Sequence, residues 1–286
     1  MKLIDCIDTQ AARLTQAGVF FGHGTTNAFD EALWLVLWRL GIPLDALDEH
    51  EGRELSDAEA ASVAALVDER IATRKPAAYL TGEAWLQGVP FTIDERAIVP
   101  RSFIAELIAD ASIDPWLRPD SRRVLDLCTG NGSLAVLAAL AWPEVEVDAL
   151  DLSAEALEVA RLNVERHGLA GRIRLLQGDG LRGAHGPYDL ILCNPPYVNS
   201  ASMAALPAEY RAEPALALAG GADGMDFVRA LLRDAPAALA EGGVLVLEIG
   251  HEREHFEAAF PRLEAVWMDT SAGADQVLLL TRENLL

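Results

Sequence analysis

Apolar residues recur at helical spacing from the start of the chain. Leu3, Ile4, Ile7, Ala11 and Leu14 follow one face of a 3.6-residue period. The stretch Phe20-Phe21-Gly22-His23-Gly24-Thr25-Thr26-Asn27 breaks that period with two glycines. It resumes from Asp30 to Leu40, where Leu33, Trp34, Leu37 and Trp38 share a face, and Gly41 and Pro43 stop it. Ser56-Asp57-Ala58-Glu59 has the form of a capping box, opening a helix to about Arg74 ahead of Pro76. Residues 1–82 are thus predicted to be a small all-helical domain with its tryptophans in the core.

Residues 83–100 switch to short β-like runs around Trp85, Val89-Pro90-Phe91, Ile93 and Ile98-Val99, broken at Gly88 and Asp94-Glu95. A hairpin linker is expected there. Pro100-Arg101-Ser102 starts a helix from Phe103 to about Ala111. From residue 122 strand and helix alternate. Strands are predicted over 123–127, 145–150, 173–176, 188–193, 244–249, 265–268 and 276–280. Helices fall between them, ending at Ala141, running over 153–167, from about 225 to 240, and over about 252–260. Such alternation argues for a doubly wound, mainly parallel α/β sheet in residues 101–286.

Composition narrows the setting. Of 286 residues, 51% are hydrophobic, enough for a sizeable core. No apolar run approaches the roughly 18–20 residues of a membrane span. Asp5 and Asp8 interrupt the apolar N-terminal stretch, which argues against a secretory signal. Cys6, Cys128 and Cys193 show neither paired nor metal-like spacing, so a reducing cytoplasm is expected. The formal net charge is −21. That field repels phosphate backbones and attracts a basic protein partner, so no direct sequence-specific binding of nucleic acid is expected.

Candidate chemistry centres on Asn194-Pro195-Pro196-Tyr197, which follows the apolar strand Tyr188 to Cys193. Two prolines cannot donate ladder hydrogen bonds, so the strand must end there. In open α/β sheets ligands sit beyond the carboxyl ends of strands. Asn194 offers an amide oxygen, Pro195 a carbonyl, and Tyr197 a ring face and a hydroxyl. Two acceptors beside a flat surface suit a planar NH2 group. The bland alternative is a turn that merely ends a strand.

A second cluster, Asp126-Leu127-Cys128-Thr129-Gly130-Asn131-Gly132, lies between the first strand of the alternating region and its helix. Its glycines let a ligand approach the backbone at a helix N-terminus. The dinucleotide pattern is absent, because Cys128 fills the first glycine slot and Leu134-Ala135 follow. Asp126 repels a pyrophosphate but suits an ammonium or sulfonium charge. Asp151, at the next strand end, can accept ribose hydroxyls. Asp179, after the third, is placed to accept from an adenine amino group. Three acids at successive strand ends, with a glycine loop, describe S-adenosylmethionine better than NAD.

Two other readings compete. His251-Glu252-Arg253-Glu254-His255 matches a zinc-protease pattern, with Glu257 or Glu264 available as a third ligand. It directly follows Gly250 and a strand, and no histidine follows it, so a solvated helical face is expected and no metal. A methyltransferase for adenine or cytosine amino groups shares the Asn194–Tyr197 motif, but it needs a basic groove that this charge opposes.

From Asp126 to Tyr197 the chain resembles the HemK family of protein N(5)-glutamine methyltransferases. The resemblance implies a Rossmann-like class I S-adenosylmethionine-dependent methyltransferase domain, with a mostly parallel seven-stranded sheet. It also implies a small N-terminal helical domain that reads the protein substrate, joined by a β-hairpin. Phe21 to Asn27 with Asp30-Glu31-Ala32, and Val99 to Ser102 with Ala105 to Ile108, are similar to the branch acting on large-subunit ribosomal protein L-three. Glu209-Tyr210-Arg211, Glu213-Pro214 and Gly220 to Gly224 fit that branch too. The release-factor branch, the alternative, reads P-R-P-E-T-E where this chain has Pro100-Arg101-Ser102.

The resemblance implies that Cys128, Thr129, Gly130, Asn131, Gly132 and Asp151 hold the cofactor. Asn194, Pro195, Pro196 and Tyr197 would hold the glutamine, with Asn194 close to the transferred methyl. Cys128 replaces the family's usual glycine and is read as packing rather than as a nucleophile. An amide nitrogen is a poor nucleophile that no ordinary side chain deprotonates near neutral pH. Catalysis by placement is therefore expected, with Asn194 and Pro195 each accepting one amide hydrogen. Arg101 and Glu106 are expected near the site's entrance.

Overall fold

In the computed structural model, which describes residues 1–286, helix α1 (Leu3–Gln16) buries Leu3, Cys6, Ile7, Gln10 and Leu14 along one stripe. Asn27 opens α2 (Ala28–Leu40) by accepting the Asp30 N–H at 2.9 Å, and Gly41 closes it at φ +66°. A short turn, α3 (Leu47–His50), precedes α4 (Asp57–Thr73). The expected capping box opens α4. Ser56 Oγ accepts the Glu59 N–H at 3.2 Å, and the Glu59 carboxylate accepts the Ser56 N–H at 2.9 Å. Helix α5 (Ala77–Thr81) follows Pro76. Trp34 is buried, but Trp38 is exposed. It lies in the last turn of α2 beside exposed Arg39, past the packed part of the helix, so the all-core expectation fails there.

Contacts divide the chain into two units, and the first contains more than these helices. It comprises Met1–Ala84 together with the distant segment Leu206–Glu213. Arg70, almost fully enclosed, explains why. Its Nε donates to Glu31 Oε1 at 2.8 Å and its Nη2 to the Phe20 carbonyl at 3.1 Å. Its Nη1 lies 3.5 Å from Glu209 Oε1, which also accepts the Phe20 N–H at 3.1 Å and faces Arg74 Nη1 at 3.4 Å. His23 Nε2 lies 3.4 Å from a Glu213 oxygen, and its ring packs on Tyr210 with centroids 4.4 Å apart. The Phe20–Asn27 loop thus receives the segment around Glu209 within one buried polar cluster.

The second unit, Trp85–Ala205 with Pro214–Leu286, carries the sheet. Strands β1 (Glu83–Leu86) and β2 (Val89–Thr92) make the expected hairpin, turning at Gln87 and Gly88, both at positive φ, but it ends at Thr92, and the β-like runs at Ile93 and Ile98-Val99 form no strand. Helix α6 (Ile104–Ala109) follows. The alternating region then runs β3 (Arg123–Leu127), α7 (Ser133–Ala141), β4 (Glu146–Asp151), α8 (Ala154–Arg166), β5 (Ile173–Gln177) and β6 (Tyr188–Cys193). After these come α9 (Ser200–Ala205), α10 (Asp226–Ala238), β7 (Leu239–Glu248), α11 (Arg253–Ala259), β8 (Val266–Thr270) and β9 (Gly273–Thr281). The helix expected to reach Ala240 stops at Ala238, because Leu239 already pairs with Tyr188 in the sheet. Helix α9 had no periodic signal.

The seven-stranded sheet has the order β5-β4-β3-β6-β7-β9-β8. Pairs from β5 to β7 are parallel, and β9 runs antiparallel to both its neighbours. Apolar side chains fill both faces, as near-continuous apolar strands require. Val124, Leu190, Leu192, Val244 and Val246 face one cluster with α6 and α7 residues. Leu125, Leu127, Ile191, Cys193, Leu245 and Leu247 face the other, against Val228, Leu231 and Leu232 of α10. The chain moves outward from β3 to β5, then returns to lay β6 on the other side of β3. The order reverses between β3 and β6, and the crevice beyond their carboxyl ends is where this topology takes ligands.

Candidate active site

The loop leaving β3 is built for close backbone approach. Cys128, Gly130 and Gly132 all have positive φ, at +61°, +56° and +79°. A Cβ on Gly132 would lie 3.1 Å from Ala160 Cβ, so glycine lets α7 start against α8. Nothing lies within 4 Å of a Cβ placed on Gly130, which lines a cleft instead. The loop is held from below and behind. Thr129 N–H donates to the Leu150 carbonyl at 3.1 Å, and buried Asn163 Nδ2 donates to the Asn131 carbonyl at 2.8 Å.

Asp151 and Asp126 hold this loop in different ways. Asp151, ending β4, accepts the Gly130 N–H on Oδ2 at 2.9 Å and the Ser153 N–H on Oδ1 at 2.8 Å. It lines the cleft, and burial pushes its carboxyl above the usual carboxylate range, against those N–H donors. Asp126 lies buried beneath the loop. Its Oδ2 accepts the Thr129 hydroxyl and, at 2.9 Å, the Ala135 N–H in the first turn of α7. Burial pushes it up to about 7, while those two donors pull it down. Two buried polar atoms here have no partner in the protein: Asp126 Oδ1 and Asn131 Nδ2. Asn131 lines the smaller of the two cavities at this loop, so its orphan donor suits the carboxylate of an amino-acid tail, whereas Asp126 sits in β3 and lines neither cavity.

Beyond the strand ends lies a cleft of about 830 Å³, a volume that includes the solvent at its open mouth. Asp151, Asp179, Gly180, Asn194, Pro196 and Phe227 are on its walls, together with Pro214 and Leu216. Asp179 is largely exposed, with Oδ2 3.3 Å from Arg182 Nη1. A smaller cavity is lined by Arg101, Ser102, Thr129, Asn131 and Asn194. The two cavities share Ile98, Cys128, Gly130 and Asn194 in their walls. Asn194 therefore stands between a large compartment and a small one.

The rest of the Asn194–Tyr197 motif is placed differently. Pro195 is buried, and neither it nor Tyr197 lines either cavity. Tyr197 instead donates its hydroxyl to Glu248 Oε1 at 3.2 Å. Glu248 was not singled out from the sequence, and Ser102 was read only as part of a helix start and of the family likeness. The only signal for Glu248 was an acid ending the apolar run Val244 to Leu247. Arg101 does line the small cavity. Glu106, expected near the entrance, accepts instead from the Ser271 hydroxyl and N–H at 2.6 and 2.8 Å.

The zinc-like motif is used otherwise. Glu252 accepts from Asn199 Nδ2 at 2.7 Å and pairs with His255 Nδ1, while His251 precedes α11. No group of three or more His, Cys, Asp or Glu side chains is arranged to hold a metal ion.

Residues 111–209 match the family described as Methyltransferase small domain, and residues 9–82 match the PrmC N-terminal domain. Among solved structures, the hMettl16 catalytic domain in complex with MAT2A 3'UTR hairpin 6 is similar at TM-score 0.53. That likeness covers 79% of this chain and 81% of that one at 14% identity, and it is one of fold. Fold and family match together define a methyltransferase of the Rossmann-like class I type. Curated relatives carry the name ribosomal protein uL3 glutamine methyltransferase. The one from Bordetella pertussis is 56% identical over 99% of this chain and 96% of its own length. Those from Neisseria gonorrhoeae and Bradyrhizobium diazoefficiens are 48% and 44% identical, over 99% and 100% of this chain and 95% and 92% of theirs. The chain belongs to this family of glutamine methyltransferases.

Proposed function

We propose that this chain transfers a methyl group from S-adenosylmethionine to the side-chain amide nitrogen of a glutamine in ribosomal protein uL3. The observation that carries the reading is Asn194, which lines both cavities, in a chain 56% identical to a uL3 glutamine methyltransferase. The large cleft suits the nucleoside. Asp151 keeps lone pairs beyond its two N–H partners for ribose hydroxyls, and Asp179 and Gly180 flank the place for an adenine. Asn131 Nδ2, on the wall of the small cavity, supplies an unmatched donor for the carboxylate of the amino-acid end. When bound, S-adenosylmethionine supplies a methyl carbon made electrophilic by its sulfonium.

The protein's own part is placement. Asn194 Oδ1 and the Pro195 carbonyl would each accept one hydrogen of the glutamine amide. Those bonds turn the nitrogen toward the cleft and favour positive charge building on it. Fixed orientation of this kind is worth up to about 7–11 kcal/mol. No ionised base is required before transfer, because the nitrogen sheds its proton once it has become cationic. The net charge of −21 suits a basic ribosomal protein as partner, and a ribosomal substrate together with three cysteines without paired spacing supports a reaction in the cytoplasm. Mass spectrometry of uL3 incubated with the protein and methyl-labelled cofactor tests the reading. One added methyl on a glutamine is expected, and label on nucleic acid alone would overturn it.

A further inference from the structure

The acid ending β7 is fully enclosed. Glu248 Oε2 accepts the Ser102 hydroxyl at 2.6 Å and the Phe103 N–H at 2.9 Å, and Oε1 accepts the Tyr197 hydroxyl at 3.2 Å. A buried carboxylate is costly unless donors surround it. Here the donors come from two separate places: the turn before α6 and the tyrosine of the Asn194–Tyr197 motif. Burial raises the Glu248 carboxyl above its ordinary range, and the Ser102, Phe103 and Tyr197 donors oppose that rise.

The residues after Glu248 continue the same contact. Gly250 has φ +53°, and a Cβ there would fall 2.5 Å from Tyr197 Cε2, so glycine leaves room for the ring. Glu252 Oε1 accepts from Asn199 Nδ2 at 2.7 Å and faces the Asn199 N–H at 3.4 Å. Residues 248–252 thus receive Tyr197 and Asn199 at three successive points. A turn that merely ends a strand does not require such a seat.

We propose that Glu248 is a positioning residue for methyl transfer. Through the Tyr197 hydroxyl and the Ser102–Phe103 turn it fixes Asn194 against the small cavity. This rests on the glutamine-amide reading above. Only two prolines separate Asn194 from Tyr197, and their φ angles are locked, so pinning the tyrosine pins Asn194. Ser102 and Asn194 line the same small cavity, so one carboxylate sets both of its sides. Misplacement of reacting groups by about 1 Å can cost about 100-fold in rate.

Steady-state kinetics on the full chain with S-adenosylmethionine and uL3 tests this, with calorimetry of cofactor binding alongside. Glu248→Ala is expected to lower kcat about 30- to 100-fold while cofactor Kd stays within about threefold. Glu248→Gln keeps an acceptor for Ser102 and Phe103 and should recover kcat to within about fivefold of the parent. Combining Glu248→Ala with Tyr197→Phe should lower kcat no further than the worse single change, since both break one linkage. Should Glu248→Ala fail to fold, the cycle of Glu248→Gln with Tyr197→Phe decides the matter by the same non-additivity. A near-parental kcat in Glu248→Ala, or effects that multiply, would overturn the assignment. A parent protein that binds cofactor yet methylates no glutamine would instead sink the functional reading, and would show before any variant is compared.

Discussion

Asp151 Oδ2 accepts the Gly130 N–H at 2.9 Å, so the acid that ends β4 also fixes the loop that leaves β3. One side chain thereby shapes two walls of the large cleft. Hydrogen bonds to a charged group are worth about 1.5–3 kcal/mol each. Asp151→Ala should therefore weaken S-adenosylmethionine binding by about 10- to 100-fold, with Asp151→Asn intermediate. Isothermal titration reads this directly, and an unchanged Kd would remove Asp151 from the cofactor site.

Asn194 bears on rate rather than on folding. Its side chain is only half-buried and stands between cavities, so shortening it leaves the core intact. Loss of one preorganised polar contact costs about 3–4 kcal/mol in the transition state, so Asn194→Ala should drop kcat about 100-fold or more. The urea midpoint should hardly move. Near-full turnover in that variant would defeat the placement mechanism.

Asp126 gives a pH signature. Burial pushes its carboxyl up to about 7, whereas an aspartate in an unfolded chain titrates near about 3.9. Between those values the folded protein keeps a proton that the unfolded chain has lost. Stability from this group is full below about pH 4 and is lost as pH rises to about 7. Asp126→Asn has no such proton. Its stability relative to the parent should improve across that interval and level off above it. Urea denaturation of both proteins at a series of pH values checks this, and parallel curves would contradict it.

Arg70 should be a weak point of the first unit. Removing it leaves Glu31 and Glu209 buried without their shared guanidinium, with Arg74 still facing Glu209. Breaking a buried pair from one side costs about 3–5 kcal/mol, so Arg70→Met should destabilise by about that much. Adding Glu31→Gln and Glu209→Gln should restore part of the loss, as read by chemical denaturation. A loss without any recovery would mean that packing around the arginine, not charge, sets its importance.

Local chemistry was legible in the sequence and distant pairing was not. The Ser56–Glu59 capping box, the Ser153 cap on α8 and the strand stop at Pro195 depend on neighbours a few residues away, and all three form. Glu209 and Arg70 lie 139 residues apart, and Ser102 and Glu248 lie 146 apart. No spacing rule reports such partners. Tyr197 shows the same limit. Its chemistry could be read from its motif, but its direction was settled by an acid and a glycine on another strand's end. Asp126 was read from the sequence as an acid facing a cofactor, and its place beneath the loop, bonded to the Ala135 N–H, depends on a helix start nine residues on.

The membership of Leu206–Glu213 in the first unit sets an order on synthesis. A ribosome releases the helices of residues 1–84 long before it reaches Glu209. During that delay Arg74 lacks the Glu209 carboxylate, the Phe20 N–H lacks its acceptor, and Arg70 has the Glu31 carboxylate and the Phe20 carbonyl but not Glu209. The opening third of the nascent chain therefore waits, incompletely closed, until β6 and α9 have been translated. A gene fragment cut after residue 84 would encode a product that never receives its closing piece.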